Sequence, residues 1–321
     1  MTNHANIPVF IPHIGCPKGC VFCSQNKITG TEKIPTVDDV VVLIEKSLKN
    51  LNGRMAEVAF FGGSFTGIPL HMQTEYLEAV LPYIKSGKIS GIRLSTRPDY
   101  INKKVLENLK KYNVTCIELG AQSMCDDVLM ASDRGHTAQD TENASNLIKS
   151  YGFELGLQMM IGLPKDSPEK SVFTASEIVR LGADYARIYP TCVIYNTALY
   201  DMCISGKYSP LNLDEAVDTA AKVYRILSDG GVNVIRCGLQ ATDTLGEDIY
   251  EGPYHPAFGE MVKSRIKRDE MEEKIRLLLP EKEIKFKVPA NKISQFVGQK
   301  RSNILFLEEK YKIKIRMEQL K

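Results

Sequence analysis

Short β-rich runs recur along the first 190 positions, at 7–12, 57–62, 91–95, 115–119, 153–160 and 184–189. Between them, residues 36–50, 71–86, 101–112, 138–151 and 168–181 space their apolar positions as helices do. Two of these segments open on helix-start signals, Thr36-Val37-Asp38-Asp39 and Asp166-Ser167-Pro168-Glu169. Strand–helix alternation of this kind predicts right-handed βαβ units and a parallel sheet. Six repeats are too few for a closed eight-fold barrel, so the pattern predicts an α/β fold, a partial (β/α)6 barrel. Its active site is expected at the C-terminal ends of the strands. Residues 190–260 are less regular: a helix over 212–229, an apolar run over 232–239, then a polar, Gly/Pro-rich stretch over 246–259. That stretch reads as a linker or a lid over the barrel mouth. The last part alternates like a strand over 283–288 and continues as helix 291–297, turn, helix 302–311 and strand 312–317. The expected organisation is a barrel over 1–245, a linker and helix over 246–280, and a small basic α/β domain over 281–321.

Just after the first predicted strand lies Cys16-Pro17-Lys18-Gly19-Cys20-Val21-Phe22-Cys23. Three thiolates this close on one loop can hold three corners of an iron–sulfur cube. With no fourth cysteine nearby, one iron would stay open to a small molecule. Gly15, Pro17 and Gly19 let the chain turn tightly there, and Phe22 would shield one face of the cluster. The other reading of these residues is a four-ligand zinc site closed by His13. A second candidate follows the next strand, Phe60-Phe61-Gly62-Gly63-Ser64-Phe65-Thr66-Gly67. Paired glycines at a strand end let backbone approach a ligand closely.

The chain of 321 residues is 43% hydrophobic, enough for one large domain and a small one. No apolar run approaches the roughly 20 residues that span a bilayer. The N-terminus lacks the basic region and apolar core of a secretory signal. Eight cysteines without an export signal point to a reducing cytoplasm, and Cys116, Cys125, Cys192, Cys203 and Cys237 read as small buried apolar residues. The net charge of +2 hides an asymmetry: residues 261–321 hold 17 Lys and Arg against 9 Asp and Glu, whereas residues 1–260 hold 24 against 30. A basic tail on a mildly acidic body suggests a polyanionic partner.

The cysteine spacing, with an aromatic residue before the third cysteine, resembles the signature of the radical S-adenosylmethionine superfamily. The Gly62-Gly63 strand end sits where that family holds the cofactor's methionine amino group. The resemblance implies a [4Fe–4S] cluster on Cys16, Cys20 and Cys23. It also implies S-adenosylmethionine on the open iron, cleaved by one electron to a 5′-deoxyadenosyl radical that abstracts hydrogen. An electron donor such as flavodoxin or ferredoxin is then an expected partner. Further motifs narrow the resemblance to the radical domain of the Elongator catalytic subunit: the Gly62–Gly67 segment, Thr96-Arg97-Pro98-Asp99-Tyr100, Glu118-Leu119-Gly120-Ala121-Gln122-Ser123, Arg134-Gly135-His136-Thr137, Met159-Met160-Ile161-Gly162-Leu163-Pro164 and Ile188-Tyr189-Pro190-Thr191. That family modifies a tRNA wobble uridine. The remaining residues leave no room for its separate acetyltransferase domain, so its full carboxymethylation activity is not carried over. A second resemblance, to oxygen-independent coproporphyrinogen oxidases, maps cofactor-binding positions onto Ser95, Gln122, Arg134 and Gln158. Gln122 and Arg134 match it, whereas Ser95 and Gln158 replace acidic residues. The expected cofactor-binding set is Phe22, Gly62, Gly63, Ser64, Thr66, Ser95, Gln122, Arg134 and Gln158. Arg97 and Asp99 read as a local ion pair, and His136 either as a ligand contact or as a structural hydrogen bond.

The tail order β-α-turn-α-β resembles the core of a KH domain, whose G-x-x-G loop clamps single-stranded RNA. Gly298, Gln299, Lys300 and Arg301 match that loop except that Arg301 replaces the second glycine. RNA is the expected substrate, specifically a tRNA base. A radical enzyme acting on a porphyrinogen and a zinc-bearing RNA-binding protein without catalysis are the alternatives.

Overall fold

A computed structural model describes residues 4–11, 15–16, 19–24, 33–51, 53–240 and 245–320. In chain order the elements are β1 (His4–Ile11), α1 (Val37–Lys49), β2 (Met55–Gly62), α2 (Leu70–Lys85), β3 (Gly91–Thr96), α3 (Lys103–Lys111), β4 (Val114–Gln122), α4 (Asp126–Ala131), α5 (Ala138–Ser150), β5 (Glu154–Ile161), α6 (Pro168–Arg180), β6 (Tyr185–Pro190), β7 (Val193–Ile194), α7 (Ala198–Ile204), α8 (Leu213–Asp229) and β8 (Asn233–Cys237). There follow α9 (Leu245–Asp248), β9 (Ile249–Glu251), α10 (Phe258–Leu278), β10 (Glu283–Pro289), α11 (Ile293–Val297), α12 (Ser302–Tyr311) and β11 (Lys314–Leu320). The helix-start signals act as expected. Thr36 caps α1 in a reciprocal box with Asp39, and Ser167 caps α6 with Pro168 in its first turn.

β1 to β6 and β8 form one seven-stranded parallel sheet in sequential order, the curled, open half-barrel that the strand–helix alternation implies. β8 adds a seventh strand within the apolar run 232–239. Side chains alternate between the two faces of a strand, and here the alternation separates two environments. Ile92 and Leu94, Ile117 and Leu119, Leu155 and Leu157, and Ala186 and Ile188 join helix residues such as Leu106, Leu109, Ile148 and Ile178 in one apolar core. Their neighbours Ser95, Gly120, Gln158, Met160, Arg187 and Tyr189 turn to the other face and line a cavity of about 610 Å³.

Over the stretch read as a linker or lid, β9 pairs antiparallel with β7, and Phe258, 1% exposed, opens α10 from inside the main core. α10 serves two cores. Phe258, Val262 and Ile266 pack with the sheet's helices, whereas Met271 and Ile275 pack with Ile284, Phe286, Val288, Ile304 and Leu307 of the tail. The tail follows the expected element order, and β10 and β11 pair in parallel. Buried Asn303 donates its amide to the carbonyls of Ser264, Gln295 and Phe296 and to the Ser264 hydroxyl, which ties α12 and α11 to α10.

Candidate active site

The cysteine loop is held from three sides. The Val21 amide donates to the Ser132 carbonyl at 3.2 Å, and the Val21 carbonyl accepts from Leu199 at 2.7 Å. At the loop's start, Gly15 lies against the turn that follows β2. A Cβ on Gly15 would stand 2.4 Å from the Ser64 carbonyl oxygen, and one on Gly67 would stand 2.4 Å from the Gly15 oxygen. The Gly62-Gly63 segment is fixed with it, because the Gly63 amide donates to Ile11 at 2.8 Å and a Cβ on Gly62 would meet that same carbonyl. Glycine is therefore required where the two backbones cross. Cys16 Sγ lies 3.6 Å from Ser64 Oγ. Cys16, Cys20, Phe22, Cys23, Gly62, Gly63 and Ser64 all line the cavity.

The opposite wall comes from β3 and β4. Gln122, at the end of β4, adopts a left-handed φ of 64°. Its Oε1 is buried without a hydrogen-bond partner among the described residues. Arg134 donates through Nη2 to the Gly120 carbonyl at 2.7 Å and through Nη1 to Cys20 Sγ at 3.2 Å. Gly120 leaves the room for this, since a Cβ there would meet both Arg134 Nη2 and Gln122 Nε2. Arg97, which lines the cavity, chelates Asp99 with Nε and Nη2 at 2.9 Å each, yet its Nη1 is buried without a hydrogen-bond partner among the described residues. The ion pair expected from the sequence is present, and a spare donor comes with it. His136 is buried with Nε2 3.3 Å from the Ala121 carbonyl. Burial, then the Arg134 and Arg97 charges, push its pKa down to about 4. It is therefore a neutral imidazole that holds the backbone beside Gln122, the structural role of the two considered.

The floor of the half-barrel is a buried charge network. Glu118, 1% exposed, accepts from Arg187 Nε at 2.5 Å and Nη2 at 2.9 Å, from Arg93 at 3.3 Å and from Gln158 at 3.0 Å. Burial opposes its charge, but Arg187 and Arg93 outweigh burial and hold the carboxyl below the usual range. Gln158 thus reaches the cavity already committed to Glu118. Ser95 lines the cavity beside it. Thr66 is placed differently: it bonds Thr96 Oγ1 at 2.6 Å and the Tyr100 carbonyl at 3.2 Å, and is absent from the cavity wall. His13, the fourth ligand of the zinc reading, lies outside the described residues. Among those described, no three His, Cys, Asp or Glu side chains gather about one metal ion. A cube takes each thiolate on a different iron and does not require that gathering.

Sequence reasoning did not single out Arg187 and Arg236 on the inner face. Their signal was a basic residue alternating with apolar ones inside a strand. Tyr195, Tyr200 and Tyr250 stack on one another at centroid distances of 5.0–5.5 Å. His255 accepts the Ala257 amide locally at 3.0 Å. In the tail, Gly298 (φ 75°), Lys300 (φ 49°) and Arg301 (φ 64°) form a left-handed turn before α12. The Lys300 and Arg301 side chains are exposed.

The family model for the radical SAM superfamily matches residues 10–176, and the radical SAM C-terminal domain matches residues 183–268. The chain belongs to the radical SAM superfamily. That family's cofactors are a [4Fe–4S] cluster and S-adenosylmethionine, and the donor set here fits them: three thiols, an orphaned amide oxygen and buried guanidinium donors around one cavity. Among relatives of this radical SAM chain, Elongator complex protein 3 of Dictyostelium discoideum is 31% identical over 225 residues, 60% of this chain and 40% of the relative. A tRNA uridine(34) acetyltransferase of Methanocaldococcus jannaschii is 32% identical over 225 residues, 61% of this chain and 41% of the relative. The chain thus spans about two-fifths of these relatives. Among solved structures, the Methanocaldococcus infernus Elp3 lacking its N-terminus aligns with a TM-score of 0.66 at 24% identity, over 85% of this chain and 64% of that one. Coproporphyrinogen III oxidase of Escherichia coli aligns at 0.51 and 18% identity, over 71% of this chain and 53% of that one. Both share the fold. Among the described residues, no helix is long and apolar enough to cross a membrane.

Proposed function

We propose that this radical SAM enzyme modifies a tRNA base, as the name of its tRNA uridine(34) acetyltransferase relative indicates for that protein. The observation that carries the site assignment is the convergence of Cys16, Cys20, Cys23, the Gly62–Ser64 loop, Gln122 and Arg134 on one cavity. Cys16, Cys20 and Cys23 would hold the cluster, and S-adenosylmethionine would lie along Gly62, Gly63, Gln122 and Arg134. When bound, this pair supplies one-electron cleavage of a sulfonium and abstraction of a hydrogen atom.

The chain's own residues set the conditions. Arg134 places a fixed cation beside the Cys20 sulfur and can face a carboxylate with its unpartnered Nε. Gln122 Oε1 is free to accept from a ribose hydroxyl. The neutral His136 adds no charge and stiffens the strand end that carries Gln122. Phe22, between two of the cysteines, lines the cavity and would shield the thiol end from water. Gly298, Gln299, Lys300 and Arg301 would clamp RNA backbone as a KH-like loop, with Arg301 supplying a cation in place of the close approach a second glycine would give. A flavodoxin- or ferredoxin-type donor would deliver the electron.

The test reduces the anaerobically reconstituted protein with S-adenosylmethionine, with and without total tRNA, and measures 5′-deoxyadenosine. Strong stimulation by tRNA supports the whole reading. An unchanged rate removes the RNA substrate. Product formation that survives Cys16→Ala removes the cluster assignment.

A further inference from the structure

Among the described residues, the cavity wall carries Arg97, Arg134, Arg187 and Arg236 and no aspartate or glutamate. Three of these cations are already engaged: Arg97 with Asp99, Arg134 with Cys20 and the Gly120 carbonyl, and Arg187 with Glu118. Arg236 is half-buried and forms no ion pair with any described carboxylate.

The position of Arg236 sharpens the imbalance. Arg187 on β6 and Arg236 on β8 are register partners on adjacent strands, and both reach the inner face. Like charges placed so repel each other. Glu118 neutralises Arg187 but also serves Arg93, so no described acid offsets Arg236. Tyr189, two residues beyond Arg187 on the same face, lies within electrostatic reach of both Arg187 and Arg236. Burial raises the Tyr189 pKa, so the phenol stays a donor at neutral pH. This pair stands at the β6–β8 end of the sheet, whereas the thiols and the Gly-Gly turn stand at the β1–β2 end. Arg97 and Arg134 supply the cations of that other end, with Arg97 within electrostatic reach of Cys16 and Cys20.

We propose that Arg236, with the Tyr189 hydroxyl beside it, forms an anion subsite that receives a phosphate of the substrate nucleotide at the end of the cavity remote from the thiols. The inference rests on the RNA reading above for the identity of the anion, while the subsite itself rests on the cavity's charge. A guanidinium and a hydroxyl suit a phosphate oxygen pair, and the open cavity lets a nucleotide enter with its phosphate toward β8 and its base toward the thiols.

The experiment titrates the full chain with uridine 5′-monophosphate and with uridine, by calorimetry, for wild type, Arg236→Gln and Arg236→Lys. Wild type should prefer the monophosphate by about tenfold or more, the effect of one charge-assisted contact. Arg236→Gln should abolish the preference, and Arg236→Lys should retain most of it. Thermal unfolding of each variant separates lost binding from lost folding, and if Arg236→Gln unfolds, Tyr189→Phe should weaken the preference instead. A wild type that binds both equally, or an Arg236→Gln protein that keeps the preference, overturns the subsite. Inorganic phosphate competing as well as the monophosphate would place the anion contact without a nucleotide, and would overturn the nucleotide assignment. The RNA reading fails separately: if tRNA leaves 5′-deoxyadenosine formation unchanged while the monophosphate preference depends on Arg236, the subsite stands and the macromolecular substrate does not.

Discussion

Arg134 donates to the sulfur of Cys20 at 3.2 Å across 114 positions of sequence, and with its other terminal nitrogen grips the Gly120 carbonyl at 2.7 Å. One guanidinium therefore joins the cysteine loop to the end of β4, where Gln122 waits with an unpartnered oxygen. A charge-assisted bond of this kind contributes about 1.5–3 kcal/mol. Arg134→Gln is expected to weaken S-adenosylmethionine binding by about ten- to hundredfold, read by equilibrium dialysis of the reconstituted protein. Unchanged affinity would separate Arg134 from the cofactor site.

The crossing of Gly15 and Gly67 leaves no space for a methyl group on either side. Gly67→Ala should cost about 1–3 kcal/mol of stability through backbone displacement. Because the shift falls on the cysteine loop, iron content after reconstitution should fall further than the loss of folded protein explains. Gly53→Ala is the control: its Cβ would meet nothing within 4 Å, though its positive φ makes a small cost expected there too.

His136 gives a pH dependence of defined sign. Its pKa lies near 4 in the folded chain, mainly because of burial, against about 6.5 when unfolded. Between those values the unfolded chain binds the extra proton, so stability is complete above pH 6.5 and declines as pH falls toward 4. The loss from this group is at most about 3 kcal/mol. Urea unfolding at pH 7 and pH 5 should show the decline, and His136→Gln should flatten it. Equal slopes for both proteins would refute the assignment.

Arg301 occupies a left-handed conformation that costs a residue with a Cβ roughly 1–2 kcal/mol. Arg301→Gly should therefore stabilise the tail by about 1 kcal/mol. If the loop binds RNA, the same change should weaken RNA binding and reduce its salt dependence by about one phosphate contact. Stability and affinity moving in opposite directions would mark a cation retained for binding. A gain in stability with no change in affinity would leave the turn only a connector.

The tail's attachment depends on Asn303, whose buried amide nitrogen shares its two protons among four acceptors on two helices. Asn303→Ala should cost about 1–3 kcal/mol by leaving buried carbonyls unpaired. Limited proteolysis should show the loss in residues 283–320 before the barrel, because Met271 and Ile275 contribute to the tail's separate core.

Much of this protein is written in local pattern. Two-residue alternation and helical spacing placed the first six strands and five of the helices between them, though not the short α4, because each element's periodicity is a property of neighbouring residues. The C-x3-C-x2-C loop, the Gly-Gly turn and the β-α-turn-α-β tail were legible for the same reason: short spacing alone defines them. The tertiary structure decided what depends on distant residues meeting. Alternation within β6 shows that Arg187 differs from Ala186 and Ile188, but only the curl of the sheet shows that Arg187 and Arg236 face a cavity. Thr66 lies within the Gly-Gly motif by sequence, yet its hydroxyl is engaged by Thr96 and the Tyr100 carbonyl and it does not line the cavity. α10 crosses positions where composition changes, and its burial on both sides shows one helix shared by two cores. Spacing along a chain fixes which residues are near in sequence. Which buried charges offset one another, and which is left without a partner, is fixed only when strands some fifty or a hundred residues apart are brought into register.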